Sequence, residues 1–346
     1  MDVSFYDLGV DPGLVNSLKE MGIIEPFEVQ RESIPDAMMG NDVCCRAPTG
    51  SGKTLAFGLP LIMRTLRADP EFPTSLILSP TRELADQIAK VLTPLAATFD
   101  LEVFAIYCGV PYGRQRKALS RGTDIVVACP GRLLDLLDHG ALSLEDVGTV
   151  VLDEADRMAD MGFMPSVKRL LDQTNPKRQT FLFSATLDKD VAKLTREYQT
   201  NPVRHEIGEE TPDIKSAHHL FWKVTNTNKT ETTAEAINAV WPTIIFCRTR
   251  HGSDRLANRL NKLGIHGVTI HGGKSQNQRS RALADFTNGR VQALIATDVA
   301  ARGIHVDGVA SVIHYDPPED HKAYIHRSGR TARAGQSGVV LSFVAP

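Results

Sequence analysis

Residues 47–54 read A-P-T-G-S-G-K-T and stand between an apolar run over 43–45 and a helix-like run over 55–62. A strand, a glycine-rich turn and a helix in that order form a P-loop. Gly50 and Gly52 allow backbone angles that a Cβ would forbid, so successive backbone N–H groups can curl around a phosphate at the positive end of the following helix. Thr49, Gly50, Ser51 and Gly52 then form the cradle, Lys53 reaches the β/γ-phosphates, and Thr54 offers its hydroxyl to Mg2+. The plain alternative is a glycine turn that merely precedes a lysine. Gly, Gly, Lys and Thr at the required spacing, between strand and helix, speak against it, and nucleotide binding is the first expectation.

A chain of 346 residues, with 42% hydrophobic and 23% charged residues, is long enough for two ordinary globular domains. Its first residues carry no basic, apolar-core leader pattern, and no apolar run approaches the length that spans a bilayer, so the expected location is cytoplasmic. The five cysteines lie in or beside apolar runs without a C-x-x-C pair, which favours small buried hydrophobes over zinc ligands or disulfides. The eleven histidines show no metal-binding spacing, so no structural metal is expected. A net charge of −2 gives no overall attraction to a polyanion, and 6% aromatic residues leave little for a base-stacking platform. Any nucleic acid would have to be held locally, through its backbone.

Apolar runs at 75–79, 103–107, 124–128, 149–152 and 180–183 alternate with amphipathic segments. That alternation predicts βαβ units, a parallel sheet and helices on both faces, with ligands at the carboxyl ends of the strands. The residues just past those ends are polar: Pro80-Thr81-Arg82, Cys129-Pro130-Gly131-Arg132, Asp153-Glu154-Ala155-Asp156 and Ser184-Ala185-Thr186. Acids after a strand often do no more than favour a helix dipole. Paired with a P-loop, they read as a Walker B site in which Asp153 holds Mg2+ through water and Glu154 orients the attacking water.

The stretch 201–216, with two prolines and several acids, predicts an exposed linker; the expected domains are 1–205 and 218–346, joined over 206–217. A second α/β series follows at 218–224, 243–247, 267–270, 292–296, 310–314 and 338–344, with no P-loop of its own. Arg327, Arg330 and Arg333 would share one face if they lay on a helix. A solvated stripe is the ordinary reading of such spacing. With Gly329 and Gly335 nearby and no acids at i±4, Arg330 and Arg333 are instead expected to act as arginine fingers on the γ-phosphate.

The D-E-A-D run at 153–156, together with A-P-T-G-S-G-K-T, P-T-R-E-L, S-A-T and H-R-S-G-R-T-A-R in this order, resembles the DEAD-box RNA helicase family, and the resemblance extends from Phe5 to the end of the chain. It implies an α/β fold of two tandem RecA-like domains and an ATP-dependent RNA helicase that uses ATP and Mg2+. Residue by residue, it implies that Gln30 reads the adenine edge with Phe5 as the upstream aromatic. Lys53, Thr54, Asp153 and Glu154 take the phosphate, Mg2+ and water positions. Asp156, Ser184, Thr186 and His326 couple hydrolysis to strand separation, and Gly303, Arg330 and Arg333 contact the nucleotide from the second domain. Pro80, Thr81, Arg82, Gly109, Gly131 and Arg132, with Arg248, Gly272, Gln276 and Thr297, match RNA-backbone positions. Backbone amides, hydroxyls and guanidinium groups of that kind hold phosphates without reading sequence.

The chain departs from the family pattern at Ile23, where an aromatic is usual, at Phe27 for Thr, at Val110 for Gly, at Cys129 for Thr, at His305 for Asp and at Ala332 for Gly. None of these is a phosphate, Mg2+ or finger residue. Two other readings are a DNA-dependent translocase of the same superfamily and an RNA-binding scaffold switched by ATP; Gln30 and the D-E-A-D spelling oppose the first, and the intact Glu154, Arg330 and Arg333 oppose the second. The stop at Pro346, just past the last strand, is expected to mark the core of a longer protein.

Overall fold

A computed structural model describes residues 3–48, 50–208, 217–301, 306, 308–332 and 337–344. Thr49, Gly303 and Arg333 lie outside the described residues, as does most of the expected linker. The chain divides into two units, Met1–Glu210 and Thr211–Pro346.

Among the described residues the first unit contains seven strands: β1 (Val43–Arg46), β2 (Ser75–Leu78), β3 (Val103–Ile106), β4 (Ile125–Ala128), β5 (Thr149–Asp153), β6 (Gln179–Ser184) and β7 (Val203–Glu206). They form one parallel sheet in the order β3-β4-β2-β5-β6-β1-β7. Burial on both faces explains why the central strands read as unbroken apolar runs. Alternate residues enter different cores: Cys45, Ile77, Val127, Val151 and Phe183 join one, while Cys44, Leu78, Val126, Leu152 and Leu182 join the other. Helices cover both faces, with Lys53–Arg64 and Arg82–Ala96 supplying the first core and Pro130–Asp138 and Lys189–Tyr198 the second.

The second unit contains β8 (Ala217–Lys223), β9 (Thr243–Phe246), β10 (Gly267–Ile270), β11 (Ala293–Ala296), β12 (Ser311–His314) and β13 (Gly338–Val344), again parallel, in the order β10-β11-β9-β12-β13-β8. Its sheet likewise divides two cores, with Ile244 and Phe246 on one side and Ile245 and Cys247 on the other.

Three local expectations are corrected. The start of the stretch expected to be an exposed linker forms β7, an edge strand paired to β1; its sequence Val-Arg-His-Glu has one apolar residue, so hydropathy could not reveal it. The helix that carries Arg327, His321–Ser328, ends at Gly329, so Arg330 lies beyond it and does not continue its face. Of the five cysteines, Cys44, Cys45 and Cys247 are buried, but Cys129 is half-buried and Cys108 is exposed.

Candidate nucleotide and nucleic-acid site

The P-loop leaves β1 beside β6: Arg46 stands in register with Ser184, and Ala47 N–H donates to the Ser184 carbonyl at 2.9 Å. Asp153, the last residue of β5, is in register with Phe183 on the other side of β6. Three adjacent strand ends therefore hold the loop, Ser184 and Asp153 abreast.

Gly50 and Gly52 both take left-handed backbone angles, φ +88° and +92°. At Gly52 a Cβ would also lie 2.6 Å from Gln30 Nε2 and from the Phe27 ring, so glycine is required there for space as well as for conformation. Ser51 Oγ donates to the Pro48 carbonyl at 2.8 Å, and the buried Lys53 ammonium donates to the Ala47 carbonyl at 2.9 Å, closing the loop on itself. Thr54, half-buried, follows in the first turn of its helix. Gln30 is buried and holds the loop from outside. Its Oε1 accepts from Phe27 N–H at 2.8 Å and its Nε2 donates to the Gly52 carbonyl at 2.9 Å. Each end of that amide keeps one further hydrogen-bonding capacity for a ligand.

Phe5, expected beside the nucleotide, is packed into the core with Leu8, Val10 and Leu14, and Ile23 lies against the same core. The aromatic ring exposed beside the P-loop belongs to Phe27.

Burial pushes the Asp153 carboxyl well above the usual carboxylate range; the nearby Lys53 opposes this, while Glu154 and Asp156 add to it. A divalent cation would relieve that accumulated negative charge, so the donor set fits Mg2+ bound largely through water and phosphate oxygens. Glu154 occupies a left-handed conformation, φ +53°, between β5 and the helix Ala155–Asp160, and its carboxylate is paired with the buried Arg157. Asp156 connects this turn to the next strand. Its backbone N–H donates to Ser184 Oγ at 3.1 Å, and its carboxylate accepts from Thr186 N–H and Oγ1 at 3.2 and 3.3 Å. The D-E-A-D and S-A-T turns are thus one hydrogen-bonded assembly.

A second group lies further along the same sheet edge, past β2, β4 and β3. Pro80 and Thr81 follow β2, and Thr81 Oγ1 caps the next helix by accepting from Leu84 N–H. The Arg82 guanidinium lies over Gly109, just past β3, where a Cβ would come within 2.5 Å of it. Gly131 and Arg132 open the helix after β4, and Arg132 stacks over the Tyr112 ring at 5.6 Å.

The second unit repeats the pattern: Arg248 follows β9, Gly272 follows β10 and Thr297 follows β11, three strands that are neighbours in the sheet. Gln276 begins the helix Gln276–Thr287, capped by Ser275. Arg250 packs against Gly272. His271 Nδ1 accepts from Gly273 N–H, which leaves Nε2–H to donate to Asp254 at 3.0 Å. Against a desolvation penalty, donors from His271, Lys274 and Thr269 hold the Asp254 carboxyl at about 2. His326 is half-buried on the last helix and Arg330 is buried just beyond it.

Several supporting residues were not foreseen. Arg157, three residues after Glu154, is buried and paired with its carboxylate. Arg327, read as part of a stripe, forms a buried two-pronged ion pair with Asp298, donates to the Asp316 carbonyl at 2.7 Å and stacks on Phe246. No local signal links residues so far apart in sequence.

The profile of the DEAD/DEAH box helicase family matches residues 27–194, and that of the helicase conserved C-terminal domain matches residues 228–335. Among curated proteins, the ATP-dependent RNA helicase DBP2 of Saccharomyces cerevisiae is 39% identical, the match covering 98% of this chain and 64% of the relative. The DEAD-box ATP-dependent RNA helicase CshA of Bacillus subtilis is 35% identical over 100% of this chain and 70% of the relative. Among solved structures, S. cerevisiae Dbp5 bound to RNA and ADP BeF3 superposes with a TM-score of 0.84 at 27% identity, covering 99% of this chain and 90% of that one. The chain thus spans somewhat less than two thirds of the length of the yeast relative DBP2. No helix among the described residues is long and apolar enough to cross a membrane.

Proposed function

The chain belongs to the DEAD-box family of helicases, and from that premise we propose that it is an RNA-stimulated ATPase that holds the RNA backbone and separates short duplexes. The observation that carries the proposal is the division of one sheet edge. Lys53, Ser184 and Asp153 share the ends of β1, β6 and β5, while Thr81, Arg82, Gly109 and Arg132 share the ends of β2, β4 and β3. A triphosphate site and a phosphodiester site then occupy one rigid element, with Asp156, Ser184 and Thr186 bonded beside them.

In this reading Gln30 sets the loop and offers its remaining donor and acceptor to adenine. Gly50, Ser51, Gly52 and Lys53, with Thr49, bind the phosphates, and Glu154, oriented by Arg157, holds the attacking water. Bound Mg2+, held by Thr54 and Asp153 largely through water, would neutralise charge on the β/γ-phosphates. Arg330 and Arg333, with Gly303, complete the nucleotide site from the second unit; a finger of this kind contributes about 10³–10⁵ in rate in other P-loop systems. Pro80, Gly131, Arg248, Gly272, Gln276 and Thr297 complete the RNA grip, while Asp156 and His326 relay the nucleotide state to it. Binding of RNA and of ATP should each tighten the other, by linkage. Stacking is worth on the order of 1.4 kcal/mol per base-pair step, so one cycle opens only a few pairs. The setting we infer is the cytoplasm, consistent with five free thiols.

The test is an ATPase titration with single-stranded RNA, duplex RNA and DNA. Stimulation by RNA well above DNA is expected; equal stimulation by DNA, or none by either, overturns the reading.

A further inference from the structure

Between Glu102 and Asp124 the chain contains no acidic residue, yet it carries Arg114, Arg116, Lys117 and Arg121. All four are exposed, and none makes an ion pair with a described residue. In a protein of net charge −2 this is a local concentration of unbalanced positive charge. Its arrangement is set by the helix Tyr112–Leu119. Gln115 and Leu119 are buried, and Gln115 Nε2 donates to the Tyr107 carbonyl at 2.8 Å, which fixes the rotation of the helix against the end of β3. At 100° per residue, Arg114 and Lys117 then project from the opposite face, and Arg121 continues their line in the closing turn. The stripe runs about 10 Å down the helix.

Its position gives it a direction. The candidate phosphate contacts of the first unit follow the strand ends β2, β4 and β3, and β3 is the edge of the sheet. Gly109, past β3, is the last of them, and the basic helix begins three residues later. Outward from Gly109, the order along this helix and its closing turn is Arg114, then Lys117, then Arg121.

We propose that Arg114, Lys117 and Arg121 form an auxiliary phosphate track that binds single-stranded RNA flanking the segment held at the strand ends. The inference rests on the RNA reading above. It adds a site that contributes affinity for long RNA and none to the hydrolytic step, because none of the three residues touches the P-loop or the D-E-A-D turn.

The test compares the full chain with the triple variant R114Q/K117Q/R121Q and with a control variant, K19Q/K177Q/K189Q, which removes the same charge from exposed positions elsewhere in the first unit. Binding of a hexauridylate and of an oligouridylate about three times as long is measured between about 50 and 200 mM salt. Losing three phosphate contacts should make the salt dependence of log affinity for the longer RNA shallower by about 2. Affinity for the hexamer and the stimulated turnover number at saturating RNA should stay within about twofold. The control variant should keep the wild-type slope. An unchanged slope for the longer RNA in the track variant, or an equal loss in the control, overturns the track. Absence of RNA binding by the wild-type chain would instead overturn the parent reading.

Discussion

Replacing Gln30 by alanine should weaken every nucleotide, whatever its base, because the side chain is built into the phosphate loop. Its amide is buried and accepts from Phe27 N–H at 2.8 Å while donating to the Gly52 carbonyl at 2.9 Å. Among the described residues the Gly52 carbonyl otherwise accepts only a long bond, 3.4 Å, from Ala56 N–H. Only the bond to Gly52 reaches the loop, and at about 0.5–1.5 kcal/mol net its loss leaves the phosphate-ready conformation about 1 kcal/mol less stable. If that loss falls on the binding-competent conformation, the dissociation constant rises about fivefold. Any contact that Gln30 makes with adenine adds a further loss for ATP alone. Equilibrium binding of fluorescent ATP and GTP analogues to Q30A separates the two contributions: the common factor reports the loop, and the excess for ATP reports base reading. Dissociation constants within threefold of wild type for both analogues, or a loss confined to ATP, would refute the loop-locking argument.

Arg330→Ala should leave ATP affinity within about threefold while cutting RNA-stimulated turnover by about 10³ or more, and comparable stimulated turnover in steady-state assays would remove Arg330 from the finger role. Asp298→Ala strands the buried Arg327 guanidinium and should cost about 3–5 kcal/mol in denaturant unfolding of the second unit, whereas a loss below about 1 kcal/mol would show that the Asp316 carbonyl and Phe246 suffice. His314 is buried beside Phe246 and Tyr324, with Nδ1 at 3.1 Å from Ser342 Oγ; burial, reinforced by Arg327, holds its pKa down at about 3. Its unfolded value is about 6.5, so the unfolded chain binds the extra proton between these limits. Its contribution is therefore complete above about pH 6.5 and is lost as pH falls toward 3. Thermal melts of the wild type should drop on acidification more steeply than those of His314→Asn, and parallel pH profiles would contradict the assignment.

How much of this was readable from the chain depended on whether the signal was local. The P-loop, the D-E-A-D turn and most strands were legible, because each is a run of apolar residues followed by turn chemistry within a few positions. β7 was not legible, since an edge strand with one apolar residue is specified by its pairing with β1. Phe5 was expected at the nucleotide and lies in the core, because an aromatic ring carries the same sequence signal in either place. The spacing of the arginines left open whether they lay on a helix; the helix ends at Ser328, before Arg330, and Arg327 is claimed by Asp298.

Residue order alone was enough for most of the elements, the glycine positions and the chemical character of each strand end, all consequences of steric and hydropathic preferences acting over a few residues. Which strand ends become neighbours was settled by packing. The lateral order β3-β4-β2-β5-β6-β1-β7 brings Ala47 to Ser184 and separates the strand ends proposed for the nucleotide from those proposed for the RNA backbone. That order is set by burial of apolar surface over the whole sheet, a sum over contacts distant in sequence that no short stretch encodes.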